Sequence, residues 1–378
     1  MKEYFWKFDC RHFDGYKPCK PYYIDRSICE DCHGHYDPIN ERILLIKLDA
    51  LGDVLRTTPL ASALSKKYLQ SHLTWLTKEI SFPLIQNNPD VDRILIYRSD
   101  IGNRLMLEKF DIIINLDKNH NVAALTSLLK ADKKFGYGIN EFGHLTPLND
   151  GAKYHFDICL DDFGKGISNT KTYQQMIFDT AEIPYTGEDY VFRLRNKELE
   201  FAKKFSEKYL RKDFKTIGIN PGSSPKYPHK IWTIDGYRTL IKRLKENFDV
   251  NIMLYGGQEE IETNKAIKSG LEDMIIDSGN NNSLLEFAAL LNLSDIVLSG
   301  DTSAMHLAIA LKKKVITFFG PTRANEIDLY GRGKKLIGKV ECLGCYEEFP
   351  CIKDVANLPN CMQTITVDEV DQAIKELL

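Results

Sequence analysis

The chain reads as an α/β protein built of two doubly wound halves. Apolar runs of strand length alternate with stretches of helical period, and the alternation restarts in the second half. With 378 residues and 43% hydrophobic content, the chain is long enough for two ordinary domains. Fifty basic against fifty-three acidic residues leave a formal charge of -3, so no overall field points to a nucleic-acid partner.

Residues 1–41 are aromatic, polar and cysteine-containing without a helical or strand period, which predicts an irregular extension rather than a core domain. Arg42 to Leu48 is then a continuous apolar run, followed by a Gly-containing turn and a helical pattern from Val54 to Tyr68, the opening of a β-α-β unit. Further strands are expected at Leu73 to Leu76, Arg93 to Tyr97, Asp111 to Leu116 and Lys134 to Tyr137, with a helix from Asn121 to Leu129. A charged helical stretch, Asn196 to Tyr209, opens the second alternation. Its strands are Thr216 to Asn220, Asn251 to Tyr255, Asp295 to Ser299 and Val315 to Phe319, and its helices lie near Ile234 to Asn247, Ser283 to Leu291 and Ser303 to Leu311. The expected organisation is an extension over 1–41, a first α/β domain over 42–195 and a second over 196–378. Ligands of such folds bind where strand C-termini face a crevice.

Three segments stand at those strand ends. Leu51-Gly52-Asp53-Val54 places Asp53 at a helix start, where it reads either as an N-cap or as a general base able to take a proton from an attacking hydroxyl. Asn220-Pro221-Gly222-Ser223-Ser224, continuing to Lys230-Ile231-Trp232, offers small residues, hydroxyls and lysines suited to a diphosphate. It carries neither the Walker A pattern nor the dinucleotide GxGxxG fingerprint, and read alone it is also an ordinary polar loop. Ser299-Gly300-Asp301-Thr302-Ser303 leads into a helix whose N-terminus suits an anion. There Thr302 or Ser303 reads as a cap, His306 alone as a core histidine, and Asp301 as a holder of sugar hydroxyls or partner of a cation. Tyr255-Gly256-Gly257-Gln258-Glu259-Glu260 adds acidic residues where ribose hydroxyls could be held.

The order of these segments, with Gly300-Asp301-Thr302 through His306-Leu307-Ala308 and then Phe319-Gly320-Pro321-Thr322, resembles glycosyltransferase family nine, the heptosyltransferase family. The likeness covers approximately Arg42 to Leu378. It implies a GT-B architecture of two facing Rossmann-like domains, acceptor contacts mainly from the first and nucleotide-sugar contacts mainly from the second, and inversion at the anomeric carbon. Carried over by matching position, Asp53 is the base, Lys230 the diphosphate contact, and Glu260, with Glu259 as its substitute, a ribose or adenosine contact. Asp301, Thr302 and His306 fall at the donor site, with Ser223 and Ser224 beside them. Such a transfer needs no cofactor if Lys230 and the Asp301 helix start stabilise the departing diphosphate. Asp90-Val91-Asp92 superficially matches the metal-binding DxD of other glycosyltransferases, but it lies in a Pro-Asp turn before a strand and reads as loop chemistry.

Eight of nine cysteines form two groups, Cys10, Cys19, Cys29 and Cys32, and Cys342, Cys345, Cys351 and Cys361, each with one C-x-x-C. Four thiolates match the closed tetrahedral set of a structural zinc, and iron is also compatible. Cys159 stands apart and reads as packing. Met1 to Lys7 lacks an apolar run of signal-peptide length, and no stretch approaches the roughly 20 apolar residues that span a bilayer, so the expected setting is cytoplasmic with at most peripheral membrane association. The expected function is transfer of a heptose from ADP-heptose to a sugar hydroxyl of a glycan or glycolipid acceptor such as a lipopolysaccharide core. The rivals are a glycosyltransferase using another nucleotide sugar, and a cysteine-rich metal or redox protein that merely binds a nucleotide.

Overall fold

The structure is a computed structural model that describes the chain apart from residues 1–4, 33, 162–163, 165, 224–227, 347–350, 352, 354–355 and 357. Two six-stranded sheets carry it. The first contains β1 (Arg42–Ile46), β2 (His72–Thr77), β3 (Arg93–Ile96), β4 (Phe110–Asn115), β5 (Ala131–Ile139) and β6 (Leu145–Pro147), in spatial order β3-β2-β1-β4-β5-β6. The second contains β7 (Lys215–Asn220), β8 (Val250–Leu254), β9 (Ile276–Asp277), β10 (Ile296–Gly300), β11 (Lys314–Phe319) and β12 (Gly333–Ile337), in order β12-β11-β10-β7-β8-β9. Every pairing is parallel except β5 with β6. In each sheet the strand order reverses beside the first strand, β1 or β7, which makes the ends of those strands the natural ligand crevices.

The helices are α1 (Lys20–Asp25), α2 (Leu51–Lys67), α3 (Phe82–Ile85), α4 (Ile101–Leu105), α5 (His120–Leu128), α6 (Asp150–Leu160), α7 (Tyr173–Thr180), α8 (Asn196–Tyr209), α9 (Ile234–Asn247), α10 (Ile261–Lys268), α11 (Leu284–Leu291), α12 (Ser303–Ala310) and α13 (Val367–Leu377). Their ends follow local chemistry. The Thr233 hydroxyl accepts from Gly236 N to start α9, and Ser283 with Glu286 forms a capping box on α11. Along α9, Tyr237, Leu240, Ile241 and Leu244 recur on one face and are buried against the second sheet.

The central strands are apolar on both faces because helices cover both sides; Ile43, Leu44, Leu45 and Ile46 are all fully buried. All nine expected strands are present. The short edge strands β6, β9 and β12 are additions. Their sequences, such as Gly-Lys-Lys-Leu-Ile for β12, lack the continuous apolar run of a central strand because an edge meets solvent. Helices α6 and α7 fill a stretch that the sequence pattern did not resolve.

The halves are stitched together near the crevice. Helix α2 of the first packs against α12 of the second, and residues 188–191 run between them. Thr58 Oγ1 accepts from Val191 N at 2.9 Å, and Tyr330 Oη donates to Glu188 O at 3.0 Å. Asp189 sits 2.7 Å from both Lys312 Nζ and an Arg332 nitrogen. The 5–41 extension contributes α1 and a backbone bridge between Cys10 and Pro38, and it lies at the N-terminal ends of the first sheet's strands, away from the crevice.

Candidate active site

At the end of β1, Asp53 stands in the first turn of α2. Ala50, not Asp53, occupies the N-cap position, and no side chain caps this helix. The capping reading of Asp53 therefore falls. Its carboxylate instead meets two cations: Lys47 Nζ at 3.3 Å and Arg56 at 2.8 Å. Lys47 side chain is 8% exposed and also lies 3.8 Å from Asp117, whose Oδ2 accepts from Leu48 N at 3.1 Å. The Arg56 guanidinium carbon lies over the Tyr173 ring, 3.7 Å from its centroid. Burial works to raise the Asp53 pKa, but Lys47, Arg56 and His306 outweigh it and hold the carboxyl below the usual carboxylate range. Burial likewise opposes the charge on Lys47, and Tyr173, Asp53 and Asp117 reverse that, keeping the ammonium protonated.

The second half faces this cluster with the other expected residues. Lys230 ends a 3-10 turn, Pro228–Lys230, and its Nζ is 3.6 Å from Asp301 Oδ2. The loop is anchored two residues on, where the buried Trp232 donates to Ile365 O at 2.9 Å and stacks on Phe318 at 5.2 Å between centroids. Gly300 lets β10 approach that loop, since a Cβ there would lie 2.8 Å from Lys230 O. Burial pushes Asp301 upward, yet Lys230, His306 and Arg56 win and its pKa is lowered.

Thr302 occupies the N-cap position of α12 without capping it. Its hydroxyl pairs with Ser299 Oγ at 3.0 Å, so the Thr302 side chain leaves the start of α12 uncapped. Glu260 lies at the ends of β7 and β8: its Oε2 accepts from Gly257 N at 2.7 Å, and a Cβ on Gly222 would lie 2.6 Å from its Cγ. Glu259 is exposed and Glu260 half-buried. Ser223 is half-buried beside Gly222; Ser224 lies outside the described residues.

His306 joins the halves. It is buried, its Nδ1 is 3.2 Å from Tyr190 Oη, and its Nε2 is 3.7 Å from Asp301 Oδ1. Across the seam it presses on Gly52, where a Cβ would lie 2.9 Å from Nε2. His306 is thus a buried histidine that also lies beside Asp301. Burial, with the Arg56 guanidinium nearby, pulls its pKa down to about 4, so the imidazole is neutral at pH 7. In the unfolded chain it titrates near 6.5. Between those values the unfolded state binds the extra proton, so stability falls as pH drops from about 6.5 toward 4. His155 and His72 are also pulled down, first by burial, and add to that slope. His306→Gln should flatten the slope of melting temperature against pH in this window by its own share. Parallel wild-type and variant curves would remove the assignment.

Sequence reading missed Lys47, Arg56 and Tyr190. A lysine closing an otherwise apolar strand and an arginine three residues after Asp53 are legible signals in retrospect, because a buried ammonium needs a partner and i,i+3 charges meet on a helix. Tyr190 lies in a connecting segment and carries no such mark. Asp90 and Asp92 prove structural: Asp90 accepts from Ser62 Oγ, and Asp92 Oδ2 accepts from Leu73 N at 2.8 Å.

None of the nine cysteines is in a disulfide, and Cys159, which read as packing, is exposed. Cys10, Cys19, Cys29 and Cys32 line one cavity. Cys361 is buried against Gly320, and burial together with Cys345 pushes its thiol up to about 12. Among the described residues, no three His, Cys, Asp or Glu side chains already stand as a metal's ligand sphere. No helix among them is long and apolar enough to cross a membrane.

Two doubly wound domains with charged strand ends facing one crevice make a GT-B architecture. The profile of glycosyltransferase family 9 (heptosyltransferase) matches residues 98–354, and the chain belongs to that family. It is 23% identical over 359 residues to a lipopolysaccharide heptosyltransferase 1 of Campylobacter coli, covering 89% of this chain and 98% of the relative. In fold it resembles a glycosyl transferase family 9 structure from Veillonella parvula, with TM-score 0.71, 19% identity, and 90% of this chain and 97% of that one covered. An E. coli ADP-heptose lps heptosyltransferase II superposes with TM-score 0.65 at 16% identity, covering 89% and 98%. Family membership makes glycosyl transfer, rather than a redox role, the chain's activity.

Proposed function

We propose that the protein transfers a heptose from ADP-heptose to a sugar hydroxyl of a lipopolysaccharide core or related glycan, with inversion. The domain over 42–195 holds the acceptor and the domain over 196–378 the donor. The acceptor oxygen attacks the anomeric carbon, the bond from that carbon to the diphosphate oxygen breaks, and the acceptor proton passes to Asp53 as ADP leaves. Lys230 and the start of α12 stabilise the departing diphosphate, so the step itself calls for no metal. Ser223 and Ser224 border the phosphates, Glu260 holds the ribose or adenosine, and Asp301, Thr302 and His306 line the sugar pocket. Structural zinc or iron at the cysteine groups stands outside this chemistry. The setting is cytoplasmic, with at most peripheral contact to the membrane that carries a glycolipid acceptor, and no nucleic acid takes part.

What supports this reading most is the meeting across one seam of Asp53 with its cations from the first half and Asp301, Lys230 and His306 from the second. A carboxylate acceptor for a proton and a cation for a leaving phosphate are what an inverting transfer requires on opposite sides of the reacting carbon. Titration calorimetry should show ADP binding more tightly than UDP or GDP. Equal affinities would end the ADP-heptose assignment and leave transfer from another nucleotide sugar.

A further inference from the structure

The first 32 residues carry four thiols, and the fold brings all four to one place. Cys10, Cys19, Cys29 and Cys32 line a single cavity together with His12 and His35. We propose that these four cysteines bind one zinc-class ion as a closed structural site that clasps the extension to the edge of the first domain. The proposal stands whichever sugar the enzyme transfers.

The extension has little else to order it. Among its described residues only Cys10, Pro21 and Ser27 are buried, while Phe5, Trp6, Phe8, Tyr16, Tyr23 and Ile24 are exposed. A segment of about 40 residues with so small a core falls below the size at which burial alone fixes a fold, the range where metals or disulfides take over. The ligand set suits an ion. Cys29 and Cys32 form a C-x-x-C turn that can chelate an ion from one side, with Glu30 and Asp31 exposed at its tip. Cys19 immediately precedes α1, and Cys10 is buried. Four thiolates complete a tetrahedral sphere with no open position, and their protons pass to solvent on binding. His35 keeps its own pair, with Nε2 2.8 Å from Asp25 Oδ2.

Position gives the site its role. The residues on either side of Cys10 tie the extension together: Ile39 N donates to Asp9 O at 2.8 Å, and Arg11 N donates to Asp37 O at 2.8 Å. The Arg11 side chain donates to Ser71 O at 2.8 Å and pairs with Asp92, which itself bonds Leu73 N at the start of β2. Fixing Cys10 therefore fixes both anchors. These contacts lie at the N-terminal ends of the strands, whereas Asp53 lies at the opposite end, so the ion holds structure and touches no reacting atom.

Elemental analysis of the purified full chain should find zinc or iron that a Cys29→Ser, Cys32→Ser variant lacks by about one ion per chain. A Cys342→Ser, Cys345→Ser variant should keep that ion, which separates this site from the C-terminal group. In untreated wild-type protein, Cys10, Cys19, Cys29 and Cys32 should resist alkylation together and become reactive together when a chelator is added, while the exposed Cys159 reacts at once. Unchanged metal content in a folded Cys29→Ser, Cys32→Ser variant would overturn the proposal. So would alkylation of Cys29 and Cys32 in untreated protein at the rate of Cys159, a readout that does not depend on the variant folding.

Discussion

Asp53→Asn should lower turnover by roughly 10²-fold or more, the usual scale for loss of a general base, while ADP affinity stays within a few-fold. The geometry makes this a sharper test than the sequence allowed. Because Ala50 is the N-cap of α2, asparagine at 53 neither keeps nor loses a cap. What it removes is the negative charge between Lys47 and Arg56. Leaving two largely buried cations short of a partner should cost stability on the order of 1–3 kcal/mol, tempered because Lys47 keeps Asp117 and Asp53 is itself 31% exposed. The variant should therefore melt lower yet remain folded at assay temperature.

Two roles of the carboxylate then separate. If Asp53 only positions Lys47 and Arg56, the asparagine oxygen can still accept a hydrogen bond from either and turnover should stay near normal. If it takes the acceptor proton, the chemical step collapses. The paired cations also shape the reaction: they keep Asp53 ionised far below neutral pH, which guarantees an empty proton site but makes it a weak base in the resting enzyme. Effective proton removal then depends on the acceptor hydroxyl growing acidic as its bond to the anomeric carbon forms, or on the acceptor displacing one cation. Single-turnover kinetics with saturating donor isolates that step, and a wild-type rate there would end the case for Asp53 as base.

The central strands of both sheets were legible because helices cover both faces and the resulting apolar runs, such as Arg42 to Leu48 and Thr216 to Asn220, look like little else. Helices α8 and α9 were legible for the complementary reason, a one-sided apolar stripe. Edge strands escaped because solvent on one side erases the run, and α6 and α7 because their segment mixes buried and exposed positions without a clean period. Within the candidate site, the residues at strand ends could be singled out because doubly wound sheets bind ligands there. Lys47 and Arg56 were passed over although both lie within six residues of Asp53 in sequence, whereas Tyr190 carries no local mark because it meets His306 only across the seam. The same limit hid the meaning of Gly52, which in sequence is only a small residue before Asp53.

Gly52→Ala should abolish most activity without any loss of helix propensity. Alanine is the better helix former by roughly 1 kcal/mol, and Gly52 is inside α2 with ordinary backbone angles, so the local chain accepts the change. The obstacle lies across the seam, where the added methyl would sit 2.9 Å from His306 Nε2 and closer still to Cδ2. His306 cannot easily yield, being 5% exposed, bonded to Tyr190 Oη at 3.2 Å and stacked on that ring. Either α2 and α12 separate or the imidazole leaves Asp301, and both outcomes move Asp53 relative to the donor. A misplacement near 1 Å costs on the order of 10²-fold in rate, so kcat should fall by about that factor while ADP, proposed to sit on the second half, should bind nearly as before. A double-mutant cycle with His306→Ala identifies the cause: shrinking the ring makes room for the methyl, so the Gly52→Ala penalty should be clearly smaller in that background. Equal penalties in both backgrounds, or wild-type turnover in Gly52→Ala alone, would show that the seam between Gly52 and His306 does not set the geometry of transfer.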